Sequence, residues 1–231
     1  MLILAIDTST HCGGVAIMKD EILTASLTLN IRKTHSERLL QNIDYLLSEC
    51  GLQPSDLDGL AVSVGPGSFT GVRIGLSCAK GFCTAAKIPI IGISTLDSLA
   101  LRCAEPNILI CPVMDARRSE IFGAGYRLKD PASYELEEII PGRALALEDF
   151  LKEIKEPALF TGDGSIMFKD IIKSALSKNA RFAPPGRNLP SAVETALLGI
   201  RKLKKGIRDD PASISPLYLR SPDCRKPKPS I

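Results

Sequence analysis

The stretch Leu60-Ala61-Val62-Ser63-Val64-Gly65-Pro66-Gly67-Ser68-Phe69-Thr70-Gly71-Val72-Arg73-Ile74-Gly75 changes character at its centre. Residues 60–64 are a short apolar run with one serine, the pattern of a buried strand. Gly65-Pro66-Gly67 stops the run, because these residues favour turns and interrupt a ladder. From Ser68 the pattern is helical as far as residue 87, with Ser68 placed to cap it. Thr70, Arg73, Ser77, Lys80 and Thr84 fall on one narrow arc at about 100° per residue, and nearly everything else on the helix is apolar or small. Such a helix is buried on more than one side. Gly71, Gly75 and Ala79, four residues apart, permit close backbone approach. The neighbour is either the sheet and helices of the same lobe or a second subunit. Phe69 lies within the polar arc beside Arg73 and Lys80, where a large ring suits an interface anchor or, if the first turn is not yet helical, the core.

Upstream, residues 2–7, 14–18 and 22–29 read as three strands on short turns, the third with Leu23, Ala25, Leu27 and Leu29 at period two. They suggest an antiparallel meander. A helix follows, opened by a Thr34-x-x-Glu37 capping box and stopped at Gly51. Its apolar arc of about 120° holds Leu39, Leu40, Ile43, Leu46, Leu47 and Cys50. Downstream, residues 88–93 are a strand, residues 95–104 a helix, and Glu105-Pro106-Asn107 closes the unit. The order then partly recurs. Strands are expected over residues 108–114, 120–127 and 134–140, a helix over 147–154, a strand over 158–161 and a helix over 166–176. A last helix starts at Ser191, with Glu194 completing Ser-x-x-Glu, and stops near Gly206. The pattern divides the chain into lobes at 1–106 and 107–208, the second degenerate, and an extended basic, Pro-rich tail at 209–231. The fold class is α/β, with β-β-β-α-β-α order in each lobe.

Composition narrows the function. The chain has 231 residues, 45% hydrophobic and 24% charged, which is ordinary for a folded domain. No apolar run approaches the ~20 residues of a membrane span, and residues 1–6 lack a basic lead, so neither a membrane helix nor a signal peptide is expected. Seven Cys without a C-x-x-C pair point to reduced thiols and a cytoplasmic setting. Two His, at 11 and 35, cannot build a His-rich metal centre. The net charge of +3 is uneven: residues 201–231 carry nine Lys or Arg and three Asp. A basic end of this kind meets RNA or an acidic partner, or is simply solvated.

Two loops could bind anions. Asp7-Thr8-Ser9-Thr10-His11-Cys12-Gly13-Gly14 follows the first strand; its hydroxyls and amides could hold a phosphate and Asp7 a metal-bound water, or it is a hydroxyl-rich hairpin turn. Residues 65–71 place free amides at a helix start, but no Gly-Lys-Ser/Thr follows, so this is not a Walker A loop. No G-x-S-x-G elbow exists anywhere in the chain.

Leu4-Ala5-Ile6-Asp7-Thr8-Ser9-Thr10, Thr34-His35-Ser36-Glu37-x-Leu39-Leu40, the run 64–75 followed by Ala79-Lys80-Gly81, and Ile93-Ser94-Thr95-Leu96 closely resemble the TsaB (YeaZ) family. The likeness is strong over residues 1–100. It is weaker beyond, resting on Met114-Asp115-Ala116-Arg117-Arg118-x-Glu120, Gly162-Asp163-Gly164 and Pro216-Leu217-Tyr218-Leu219-Arg220. The resemblance implies an actin/Hsp70/sugar-kinase fold of two ribonuclease-H-like lobes. It implies a role in forming N6-threonylcarbamoyladenosine at tRNA position 37, as a non-catalytic partner of the similar protein TsaD, with the ATPase TsaE joining the pair. The helical face carrying His35, Leu39, Leu40, Phe69, Thr70, Arg73, Ile74 and Ser77 is then the interface, to TsaD or to a second copy, and tRNA is reached through the assembly.

The family's metal-binding relative uses two His in H-x-x-x-H. Here His35 is followed four residues later by Leu39, so no metal is expected. Thr8-Ser9 replaces the first glycine of the fold's phosphate loop, and Asp163 puts negative charge at the second. Asp7, Thr8, Ser9 and Thr10 are therefore a vestigial phosphate loop, with ATP or ADP expected to bind weakly, at a subunit seam, or not at all. The alternative is an independent small-molecule kinase or ATPase of the same fold.

Overall fold

The computed structural model describes residues 1–31, 35–130 and 135–220. Strands β1 (Leu2–Asp7), β2 (Cys12–Lys19) and β3 (Ile22–Asn30) form the antiparallel meander. Helix α1 (Leu39–Glu49), strand β4 (Gly59–Gly65), helix α2 (Phe69–Ala86), strand β5 (Ile90–Ser94) and helix α3 (Thr95–Arg102) complete the first unit. β4 and β5 add in parallel, for a sheet order β3-β2-β1-β4-β5. The second unit holds β6 (Leu109–Arg117), β7 (Glu120–Asp130), β8 (Glu135–Ala146), α4 (Leu147–Glu153), β9 (Ala158–Thr161), α5 (Asp163–Met167), α6 (Lys169–Leu176) and β10 (Ala180–Phe182). Its sheet order, β10-β9-β6-β7-β8, has the same plan.

Strand periodicity assigns each face its cover. On β1, Leu4 and Ile6 point to one side and pack with Ile43, Leu46, Leu47 and Leu76 of α1 and α2. Ile3 and Ala5 point to the other side, where they meet α7 (Ala192–Lys204) through Ala192, Ala196 and Ile200. The expected boundary at residue 208 put this helix with the second lobe; its packing is against the first sheet. α3 lies between the two units, its Leu96, Leu99 and Ala100 against Ile108, Ile110 and Tyr126.

Several expectations need correcting. α1 begins at Leu39, after a 3-10 turn at His35–Glu37, and its N-cap, Arg38, makes no side-chain cap bond. The capping box required Thr34, which lies outside the described residues. Leu40 stands at the edge of the helix's apolar arc and is 64% exposed, away from the sheet. The helix expected over 166–176 is broken at Phe168, which ends α5 and starts α6 while its ring packs on the second core. β8 runs on to Ala146 rather than stopping at residue 140, held to β7 through Arg143, Ala144 and Leu145. Ser191 caps α7 by accepting from Val193 N at 3.1 Å, but Glu194 bonds Arg102 instead of closing a capping box. Residues 209–220 form no helix, and they are anchored. Ile214 is buried in the first core, Asp209 N donates to Ile90 O (3.0 Å), and Leu217 N to Val64 O (2.8 Å).

Candidate functional site

The turn after β1 is closed in on itself. Ser9 donates to Asp7 Oδ1 through both N (2.9 Å) and Oγ (2.7 Å), and Thr195 Oγ1 of α7 donates to Asp7 Oδ2 (3.5 Å). Thr8 Oγ1 donates to Gly71 O at 2.8 Å, and Ser68 N to Ser9 O at 2.6 Å. Thr10 Oγ1 bonds the amide and carbonyl of Cys12. All four side chains are buried, with Asp7 1% exposed. Burial pushes the Asp7 carboxyl up, against the lowering hydrogen bonds from Ser9, Ser63 and Thr195.

Helix α2 seals this turn. A Cβ at Gly67, Gly71 or Gly75 would stand well inside 3.0 Å of Ser9 O, Thr8 O and Thr8 Oγ1 respectively. The small residues of α2 thus serve contact within the lobe, the first of the two readings of that pattern. Of the side chains expected to cradle a phosphate, Ser9 bonds Asp7, Thr8 bonds the Gly71 carbonyl and Thr10 bonds the Cys12 backbone, so their polar groups are already engaged, although Ser9 and Thr10 border the interlobe cleft.

Across the interlobe cleft, of about 720 Å³, the Gly162-Asp163-Gly164 turn is similarly occupied. Asp163 Oδ1 accepts from Asp115 N (3.2 Å) and Gly164 N (2.9 Å), amides a phosphate would otherwise use. Burial raises its carboxyl, while those two backbone bonds oppose the rise. His35 stands at the cleft's edge with Nε2 2.7 Å from Thr10 O, which assigns its proton to Nε2, and its ring lies over Gly13. The ring braces the turn. Among the described residues, no group of three His, Cys, Asp or Glu side chains is placed to hold a metal.

On the outer side of α2 the character is the opposite. A groove of about 520 Å³ between α1 and α2 is lined by Leu39, Leu40, Phe69, Thr70, Arg73, Ile74 and Ser77, with Ser36 and Cys78. His35 lies outside it, in the cleft. Leu39 forms the groove's buried floor, and Phe69 is 54% exposed at its end. The Arg73 guanidinium carbon stands 3.7 Å from the Phe69 ring centre. Tyr218 stacks on Phe69 at 5.8 Å and 28°, and Arg73 Nε donates to its hydroxyl at 2.9 Å. Sequence reasoning missed Tyr218 here; the available signal was an aromatic alone in a Pro-rich segment.

The basic end is also tied down. Arg201 and Lys204 both donate to Glu21 (3.2 Å each), Lys205 pairs with Glu135 (3.2 Å), and Lys202 bonds Gly92 O (3.3 Å). These cations join α7 to the turn between β2 and β3 and to β8 of the second sheet. Arg225, Lys226 and Lys228 lie outside the described residues.

Comparison with known proteins gives a consistent picture. The family model of TsaD, tRNA N6-adenosine threonylcarbamoyltransferase, matches residues 29–228. The tRNA threonylcarbamoyladenosine biosynthesis protein TsaB of Bacillus subtilis is 34% identical, over 95% of this chain and 94% of that one. The solved structure of YeaZ from Pseudomonas aeruginosa superposes with a TM-score of 0.76 at 26% identity, covering 94% and 99% of the two chains. A ROK family protein from Streptococcus pneumoniae shares the fold alone, with a TM-score of 0.53 at 14% identity, over 89% of this chain and 100% of that one. The paired five-stranded sheets therefore follow the actin/Hsp70/sugar-kinase plan, and the chain belongs to the TsaB (YeaZ) family.

Proposed function

We infer that this chain is a non-catalytic subunit of the assembly that forms N6-threonylcarbamoyladenosine at tRNA position 37. It docks a TsaD-type transferase through the outer faces of α1 and α2. The observation that carries this reading is the exposed groove in which an apolar floor ends in the Phe69–Arg73 pair. Aromatic rings beside arginine are frequent anchors of protein interfaces. The internally bonded Asp7–Thr10 turn, and the Asp115 and Gly164 amides already donated to the Asp163 carboxylate, support a non-catalytic role, because they offer a nucleotide's phosphates little. TsaE and tRNA are then met through the assembly, in the cytoplasm, and a homodimer through the same helices competes with the transferase. No helix among the described residues is long and apolar enough to cross a membrane.

The test is size-exclusion chromatography with mass measurement, run on the chain alone and mixed with its matching TsaD at micromolar concentration. A heterocomplex is expected, and its absence refutes the reading. A second reading, an independent kinase or ATPase, draws on the volume of the cleft. It requires ATP turnover by the isolated chain that Asp7→Ala abolishes; turnover equal to buffer removes it.

A further inference from the structure

Residues 209–220 cross the molecule as a strap. The strap starts at the β5 edge, where Gly92 N donates to Asp209 Oδ2 (2.7 Å) and Asp209 N to Ile90 O. It passes the end of β4, where Leu217 N meets Val64 O. It ends on the hairpin joining β6 and β7, where Arg220 Nη1 donates to Ala116 O (3.2 Å) and faces Glu120 (3.3 Å). Tyr218 sits between two of these anchors, so the backbone on either side fixes where its ring stands.

That ring completes a three-way cluster. The Arg73 guanidinium carbon stands 3.7 Å from the Phe69 ring centre and 5.8 Å from that of Tyr218, and the two ring centres are 5.8 Å apart. Arg73 Nε is engaged by the Tyr218 hydroxyl, which orients the fork. Arg73 is exposed and makes no ion pair among the described residues. A guanidinium held over a ring, with Nε occupied, leaves its two terminal nitrogens as the groups able to receive a planar carboxylate. Little rotamer freedom remains to be lost when it does so. Leu40 and Ile74 lie along the same groove, so a surface complementary to it pairs apolar side chains with one Asp or Glu.

We propose that Tyr218 is a positioning residue of the docking face, holding Arg73 on Phe69 so that the guanidinium receives a carboxylate of the partner. This rests on the reading that α1 and α2 dock the transferase. A second copy of this chain is the competing occupant, and the measurement separates the two.

The experiment is the dissociation constant of the full chain with its matching TsaD at several salt concentrations, together with the melting temperature of each free subunit. The variants are Phe69→Ala, Arg73→Lys, Tyr218→Phe and Tyr218→Ala. Wild-type affinity should fall with salt. Tyr218→Ala should weaken binding about tenfold or more and flatten the salt dependence. Arg73→Lys should do nearly the same, because an ammonium does not stack or fork. Tyr218→Phe, which keeps the stack but not the acceptor, should fall between. Wild-type affinity and salt slope in Tyr218→Ala, with Phe69→Ala impaired, overturns the proposal. If Tyr218→Ala does not fold, unchanged binding in both Tyr218→Phe and Arg73→Lys overturns it equally. A homodimer lost in Tyr218→Ala while the heterocomplex is untouched makes the second copy the occupant and also overturns it. Failure of the docking reading itself shows separately, as no complex with the wild-type chain.

Discussion

Two alanine substitutions on α2 make the same chemical change at sites with opposite surroundings. At Gly81 an added Cβ meets nothing within 4 Å. At Gly71 it would stand more than about 1 Å inside ordinary contact with the carbonyl oxygen of Thr8, a backbone atom that cannot rotate away. Both changes remove the backbone entropy of a helical glycine, worth about 1 kcal/mol in favour of folding. Gly81→Ala should therefore stabilise by about 1 kcal/mol, or roughly 2–4 °C in a chain of this size. At Gly71 the same gain is set against moving α2 off the Thr8–Ser9 turn. Overpacking costs about 1–3 kcal/mol where side chains can adjust, and here the obstacle is main chain. The displacement also stretches the 2.8 Å bond from Thr8 Oγ1 to Gly71 O, which is buried. A net loss of about 2 kcal/mol or more is expected for Gly71→Ala. Urea unfolding measures both, at several protein concentrations so that any dimer contribution is recognised. If Gly71→Ala proves as stable as Gly81→Ala, α2 does not press on the turn, and the account of a sealed phosphate loop fails with it.

Phe69→Ala should cost the free subunit only about 1–2 kcal/mol, since the half-exposed ring loses one stack and one cation–π contact. It should weaken the heterocomplex by about 2 kcal/mol or more, read by calorimetric titration. The Asp7 carboxyl is raised in the folded state, so protonation favours folding as pH drops through its folded value toward the unfolded one. Asp7→Asn should thus match or exceed wild-type stability at pH 8, with its advantage shrinking on acidification; urea midpoints between pH 8 and pH 4 follow this, and a growing advantage contradicts it. Glutamine at 201, 202, 204 and 205 should leave the salt slope of tRNA binding by the assembly unchanged while lowering the melting temperature, because these cations already serve Glu21, Glu135 and Gly92. A slope reduced by several units would place them on the RNA.

The repeated strand and helix order was legible because it rests on local periods. Leu4 and Ile6 against Ile3 and Ala5 set the faces of β1, and the narrow polar arc of α2 set its exposed side. β10, three residues long, is too short to show any period, and the break at Phe168 comes from a ring drawn into the core rather than from a glycine or proline. The functional surroundings were hidden for a different reason. The partner of Asp7 Oδ2 is Thr195, 188 residues away, and that of Arg73 Nε is Tyr218, 145 residues away. Contacts of such separation leave no mark on neighbouring residues. They help decide whether the polar groups after β1 are free for a ligand or already engaged within the chain, and whether Phe69 stands alone. The placement of α7 was concealed likewise, since the chain leaves the first sheet for a whole unit before returning to cover it.

α2 is the element through which these features act on one another. Its inner side, at Gly71 and Gly75, rests on a turn whose polar groups are internally bonded; its outer side presents Phe69, Arg73 and Ser77. A turn that opened to admit phosphates would have to lift the helix, since contact with Thr8 and Ser9 leaves no space between them. Lifting α2 would carry Phe69 and Arg73 away from Tyr218, which the strap also ties to β4 and to the β6–β7 hairpin. Occupation of the turn and integrity of the outer stack are therefore opposed by geometry. Closing the turn with Thr8 and Ser9 removes that conflict and leaves α2 a rigid platform, and rigid anchors bind with less ordering cost than mobile ones. On these grounds the residues that close the turn after β1 and those that line the groove between α1 and α2 are coupled through one helix. Opening the first should loosen the second before it yields any nucleotide chemistry.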